Sequence, residues 1–277
     1  LPFTGQLDHL VVYRYMRTAA QIAYDYGRGR PTGWWKMDDC QGTTAYDSSA
    51  NAQLGGIAKN GTWSGSLGGN TSAGACNSGT TTEAWNNGTT GKRNASLDFD
   101  GTDDVVTVTN SGPIDFDSGL NDGVTFAAWI YANSDGEADV GEIFDKGATN
   151  YCRTDSQVGS ALDLECSMTM DTSNATLNLS GVLTINTWHH ITMGQTDDAD
   201  DEITIYVDGI NRGSSTNGSG DASADTNNLL IGGDTAANFD GQIDDFRVYT
   251  YELSAAQVRK LYNDDAGTRF GPSTGSP

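Results

Sequence analysis

The chain has 277 residues with 37 acidic against 15 basic side chains, a formal net charge of −22 and a pI near 4.1. A polyanion of this kind repels phosphate, which argues against nucleic acid and anionic membrane surfaces as partners. No run reaches the ~18 apolar residues that a membrane span needs, and a mean hydropathy of −0.47, 35 glycines and clusters of Asn, Ser, Thr and Asp predict short strands joined by turns, an all-β fold.

Leu1 is not Met and no signal-like apolar stretch precedes it, so the numbering is expected to describe a processed chain or a fragment. Leu1-Pro2-Phe3-Thr4-Gly5 matches a sortase pentapeptide, but at the end opposite to where a sorting signal belongs, and is read as coincidence. The more informative feature is a repeat. Phe3 to Ile22 can be laid on Phe239 to Val258 without a gap, with half the positions identical. Each copy predicts a strand, from alternation such as Leu7, His9, Val11 and Tyr13 on one face, and then a short helix. The helix starts are capping boxes, Thr18-Ala-Ala-Gln21 and Ser254-Ala-Ala-Gln257. A lone strand and helix bury too little apolar surface to offset the entropy of ordering them. Residues 1–31, with the joint Gly27-Arg-Gly-Arg-Pro-Thr-Gly33, therefore form an orphan segment that needs a partner surface. It could pair with its own domain, add to a neighbouring subunit, or be left over from a tandem array. Inter-subunit contact is assigned to Phe3, Leu7, Leu10, Val12, Tyr13, Tyr15 and Ile22.

Cys40, Cys76, Cys152 and Cys166 are spaced too widely for a CxxC metal or redox site. Two disulfides are the simpler reading, and proximity in sequence pairs Cys40 with Cys76 and Cys152 with Cys166; four buried thiols are the alternative. Disulfides imply an oxidising, extracellular or cell-surface address. Seven Asn-x-Ser/Thr sequons carry little weight in a chain so rich in these residues. From residue 32 to 264 the β runs follow one another: 33–39, 96–101, 105–108, 125–131, 142–146, 188–193, 203–209, 229–232 and 242–251. Segment 64–94 is a long turn-rich insertion pinned at Cys76, and residues 265–277 form a tail without strand or helix pattern.

Several of these runs carry recognisable wording: Trp34-Trp-Lys-Met-Asp-Asp39, Asp47-Ser-Ser-Ala-Asn51, Leu97-Asp-Phe-Asp-Gly-Thr-Asp-Asp-Val105, Phe126-Ala-Ala-Trp-Ile130, Trp188-His-His-Ile-Thr192, Ile205-Tyr-Val-Asp-Gly209 and Gly241-Gln-Ile-Asp-Asp-Phe-Arg-Val-Tyr249. In this order they resemble the laminin-G-like, concanavalin-A-like lectin/glucanase domain over about residues 33–262. The resemblance implies a two-sheet antiparallel jelly-roll sandwich with short helices, to which the N-terminal segment adds a second copy of the closing motif. It also implies a structural Ca2+, for which Asp39, Asp47, Asn51 and Asp244 are the expected ligands. Glycosidases of this fold use an E-x-D-x-E strand, and no glutamates here are spaced by four, so the expectation is a protein that is not an enzyme. The pairs Asp103-Asp104 and Asp197-Asp198 are expected to mark turns, their side chains projecting to opposite faces. Trp63, Trp85 and Tyr151, in polar loops, are the candidates for stacking on a glycan. The functional expectation is an extracellular structural subunit that joins copies of itself head to tail into a filament or surface array. The alternative is a calcium-dependent carbohydrate-binding or adhesion module of a larger surface protein.

Overall fold

A computed structural model describes residues 4–6, 10–17, 22, 29–49, 58–110, 114, 123–147, 149–170, 173–196, 202–218, 225–233 and 236–263. Phe3, Leu7, Asn51, the Asp197-Asp198 pair and the tail lie outside them. The strands are β1 (Gly33–Trp35), β2 (Thr44–Ala45), β3 (Gly61–Ser64), β4 (Leu97–Asp100), β5 (Val105–Val108), β6 (Val124–Ala132), β7 (Val140–Asp145) and β8 (Tyr151–Val158). They continue as β9 (Ala161–Met168), β10 (Ala175–Thr184), β11 (Trp188–Gln195), β12 (Ile203–Val207), β13 (Ile210–Ser215), β14 (Leu229–Ile231) and β15 (Asp240–Tyr249). Two short helices are described, α1 (Ala84–Asn87) and α2 (Ala255–Tyr262).

All ladders between these strands are antiparallel and form two sheets. One runs β1-β15-β6-β11-β12-β13 with β4 also on β15; the other runs β10-β9-β8-β7-β14-β5-β3-β2. This is the expected jelly-roll sandwich. Its core is aromatic at the centre: Phe126 of β6 stacks on Phe144 of β7 across the sheets, centroids 4.3 Å apart, and both meet Phe246 of β15. Strands β6 and β15 are buried on both faces, because a second apolar cluster of Ala127, Tyr206, Tyr249, Tyr251, Leu253, Val258 and Leu261 covers them from outside. Helix α2 supplies that cover, and its predicted start is present: the Gln257 side chain accepts a hydrogen bond from the Ser254 amide at 2.8 Å.

Both disulfides form as paired by proximity, Cys40–Cys76 and Cys152–Cys166. The second joins directly opposed residues of β8 and β9. The insertion 64–94 is an ordered structure, with Trp85 donating its indole N–H to the Gly42 carbonyl at 2.7 Å. The strand expected within residues 7–13 is not formed at its described positions: Leu10 to Tyr13 make no ladder, since a strand without a neighbour has no partner for its amides. Tyr13 and Tyr15 instead gather around Arg17, whose guanidinium lies 4.4 Å from the Tyr13 ring.

Candidate functional site

The alternation of β1 buries Trp35 in the core and turns Trp34 to the opposite face of its sheet. There Trp34 lines a pocket of about 430 Å3 with Lys36, Asp38, Arg93, Asn94, Asp244 and Asp245. Neighbouring residues of a strand should face opposite ways, yet Asp244 and Asp245 both reach this pocket. A bulge in the β15 ladder between Asp244 and Arg247, with Asp245 at φ 56°, redirects the second carboxylate.

The pocket is held by charge and amides. Asp245 accepts from the Trp34 indole N–H and from Arg247 at 2.7 and 3.1 Å. Asp244 accepts the Arg93 amide at 2.7 Å through Oδ2, while its buried Oδ1 has no donor. Burial raises the Asp244 carboxyl to about 8; the Arg93 amide opposes this, and the Asp245 and Asp38 charges add to it. Asp38 accepts from the Ala95 amide and the Asn94 side chain, both at 3.1 Å. The Trp34 ring carries the Lys36 ammonium at 4.5 Å and the Arg247 guanidinium at 4.6 Å. Carboxylates, an amide, three cations and a partly exposed indole thus converge, a mixture suited to a ligand with many hydroxyls.

Among the described residues, Asp39, Asp47 and Asp244 do not bring carboxylate oxygens together around one point, and Asn51 lies outside them. Asp47 is saturated: Oδ1 accepts the Trp34 and Ser49 amides, and Oδ2 accepts the Lys59 amide and the Ser49 hydroxyl. Asp39 accepts the Tyr46 amide, and no described contact links it to Asp244, whose acidic neighbours are Asp38 and Asp245. The described members of that set therefore do not fit a cation together. A different set converges instead. Asp100, Asp103 and Asp104 bring one carboxylate oxygen each within 4.8 Å of one another, which corrects the expectation that Asp103 and Asp104 diverge. They belong to the bend between β4 and β5, where strand alternation does not apply.

Two glycan candidates are also corrected. Trp63 is 4% and Trp85 1% exposed; both belong to the core and offer no face for stacking. Tyr151 is half-buried, its hydroxyl 2.8 Å from Glu165 and its ring under Arg153. His189 and His190 have structural roles. His189 lies between Asp208, 2.9 Å from Nδ1, and the Thr184 amide, 3.1 Å from Nε2, while His190 is buried against Trp129. Sequence reasoning missed Trp34, Lys36, Asp38, Arg93 and Asp245; the available signal was the Trp34-Trp35 pair, of which alternation exposes only one.

The N-terminal residues give a further contrast. Leu10, Val12 and Ile22 are 78%, 85% and 58% exposed, whereas their counterparts Phe246, Val248 and Val258 are fully buried. Tyr13 and Tyr15 are exposed, and their counterparts Tyr249 and Tyr251 are buried.

Two packed antiparallel sheets with a closing strand and helix define the jelly-roll class of β-sandwich domains. Within it the chain belongs to the Laminin_G_3 family of the concanavalin A-like lectin/glucanases superfamily, which it matches over residues 100–259, more than half its length. No curated protein matches it in sequence. Among solved structures, domain 4 of an extracellular arabinanase from Geobacillus stearothermophilus, in complex with arabinotriose, is similar at a TM-score of 0.52 and 15% identity, covering 84% of this chain and 98% of that one. The botulinum neurotoxin serotype G binding domain is similar at a TM-score of 0.54 and 15% identity, and the serotype D binding domain at 0.53 and 14%. The chain is matched over 86% and 85% of its length by these two, and spans 52% of each. No described helix is long and apolar enough to cross a membrane.

Proposed function

We propose that this chain is a non-catalytic extracellular module of a head-to-tail filament or surface array, in which residues 1–31 seat on a neighbouring jelly roll as residues 239–262 seat on their own. The reading rests on one observation: Leu10, Val12, Tyr13, Tyr15 and Ile22 of the first copy are exposed, and their counterparts Phe246, Val248, Tyr249, Tyr251 and Val258 are buried in the body at residues 32–264. Two disulfides accord with an extracellular address. Each body already holds its own closing segment, so the incoming copy needs a body lacking one, or one that exchanges its own. The test is light scattering and negative-stain imaging of the intact chain beside a form lacking residues 1–27. Assemblies that vanish on truncation support the reading, and an intact chain that stays monomeric overturns it.

A second reading, a carbohydrate-binding or adhesion module, is favoured by the Trp34 pocket and by the arabinotriose-bound neighbour. Trp34→Ala should abolish glycan-array binding without unfolding the domain. A blank array for the unaltered chain would end this reading.

A further inference from the structure

We propose that Asp100, Asp103 and Asp104 form a calcium site beneath the loop of residues 65–70. Asp100 ends β4, Asp104 precedes β5, and the bend between them turns all three carboxylates toward one point. The loop closes over them. The Ser66 and Leu67 amides donate to Asp103 at 2.9 and 3.0 Å, the Asn70 amide donates to Asp100 Oδ2 at 2.6 Å, and the Asn70 side chain donates to Asp104 Oδ2 at 2.9 Å. Glycine is required for this approach: a Cβ at Gly65 would collide with Asp104 Oδ1, and one at Gly68, φ +67°, would lie 2.5 Å from Asp100 Oδ2.

These donors leave two oxygens unserved. Asp104 is 0% exposed, and its Oδ1, like Oδ1 of Asp100, is buried without a hydrogen-bond partner. An ionised oxygen withdrawn from water and given no donor is costly. The hydrogen-bond partners described for the three carboxylates are neutral amides and one hydroxyl, so their negative charge is uncompensated by those contacts. A hard divalent cation supplies what is missing, since it takes oxygen ligands alone and accepts several carboxylates at once. The site is separate from the Trp34 pocket and does not depend on what that pocket binds. It would fasten the insertion 64–94 to the β4–β5 turn, as Cys40–Cys76 fastens it elsewhere.

The experiment starts from the full chain stripped with a chelator. Calcium is added while thermal unfolding is followed, and Tb3+ luminescence is excited through Trp63, whose ring lies beside Gly65. The expected result is a saturable rise in Tm and a terbium signal that calcium displaces. Both responses should be lost in Asp103→Asn and in Asp104→Asn, and kept in Asp244→Asn. Asp103 is partly exposed, so its variant keeps the test decisive if Asp104→Asn fails to fold. Without calcium, Asp103→Asn should melt no lower than the unaltered chain, because it removes a like charge. Three outcomes overturn the proposal: no saturable response, a response that survives both substitutions, or one that is lost with Asp244→Asn instead.

Discussion

Residues 3–22 and 239–258 share half their positions in two situations, and the difference shows what makes a strand. In the second copy β15 lies between β6 on one side and β1 and β4 on the other, so its amides are paired and both of its faces are covered. In the first copy, residues 10–13 have the same β-favouring residues and no ladder. The local pattern is equal; the neighbours are not. Strand propensity is largely a measure of fit to an existing sheet, and here it is realised only where the sheet exists.

The comparison breaks most sharply at Leu10 and Phe246. Phe246→Ala removes a ring packed against Trp35, Phe126 and Phe144 and should cost about 3–5 kcal/mol in chemical denaturation. Leu10→Ala should fall within about 0.5 kcal/mol in the dispersed chain. Next come the cross-links, which the body has and the N-terminal segment lacks. Replacing Cys40 and Cys76 together by Ser frees a separation of 36 residues, against 14 for Cys152 and Cys166. Each should cost about 2–4 kcal/mol in thermal unfolding, the first pair more than the second, because a longer loop constrains the unfolded chain further.

The pH dependence sets two groups on one face of a sheet against each other, since His190 and Asp244 are both cross-paired with Trp129. Burial holds the His190 ring at about 3, with the Arg247 and Arg93 charges adding. The unfolded chain, with His near 6.5, takes up a proton the folded one refuses, so this stability is full above about pH 6.5 and is lost as pH falls toward 3. Asp244 does the opposite. Its carboxyl, raised from 3.8 to about 8, keeps a proton that the unfolded chain releases, so its contribution is full at low pH and is lost as pH rises through 8. Asp244→Asn should therefore remove a decline in Tm that builds up between about pH 3.8 and 8, and leave in place the loss due to His190 as pH falls from about 6.5 toward 3.

What the sequence made legible follows the same physics. Strand β6, buried on both faces, is a dense apolar run and is readable as such; β15, with Asp244, Asp245 and Arg247 among its buried positions, is legible through its closing motif, as is α2 through its capping box. Strands β8, β9 and β10 were passed over. Their core side is apolar, as in Leu162, Leu164 and Cys166, but the intervening positions carry Arg153, Asp155, Asp163 and Glu165, which dilute the signal to alternation alone. The pocket was half legible. Asp244 was found through the closing motif, but its companions depend on the bulge at Asp245 and on an antiparallel crossing that brings Arg93 to β15. The convergence of Asp100, Asp103 and Asp104 was hidden because adjacent residues were read with strand geometry where the chain bends.

The smallest effects decide the most about the repeat. Ser254→Ala should remove the start of α2 and cost about 1 kcal/mol, because the helix is needed over Tyr249 and Tyr251. Val258→Ala, at a fully buried position one turn on, should cost more than Ile22→Ala, whose side chain is largely exposed. In the dispersed chain the Ile22 change should stay within about 0.5 kcal/mol. The informative measurement repeats this pair across protein concentration. If the N-terminal copy seats on a neighbouring body, Ile22→Ala acquires a cost at high concentration that approaches that of Val258→Ala, because the residue then occupies the same kind of slot. If its cost stays flat while Val258→Ala stays large, the two copies share a sequence and not a surface, and the head-to-tail contact fails with it.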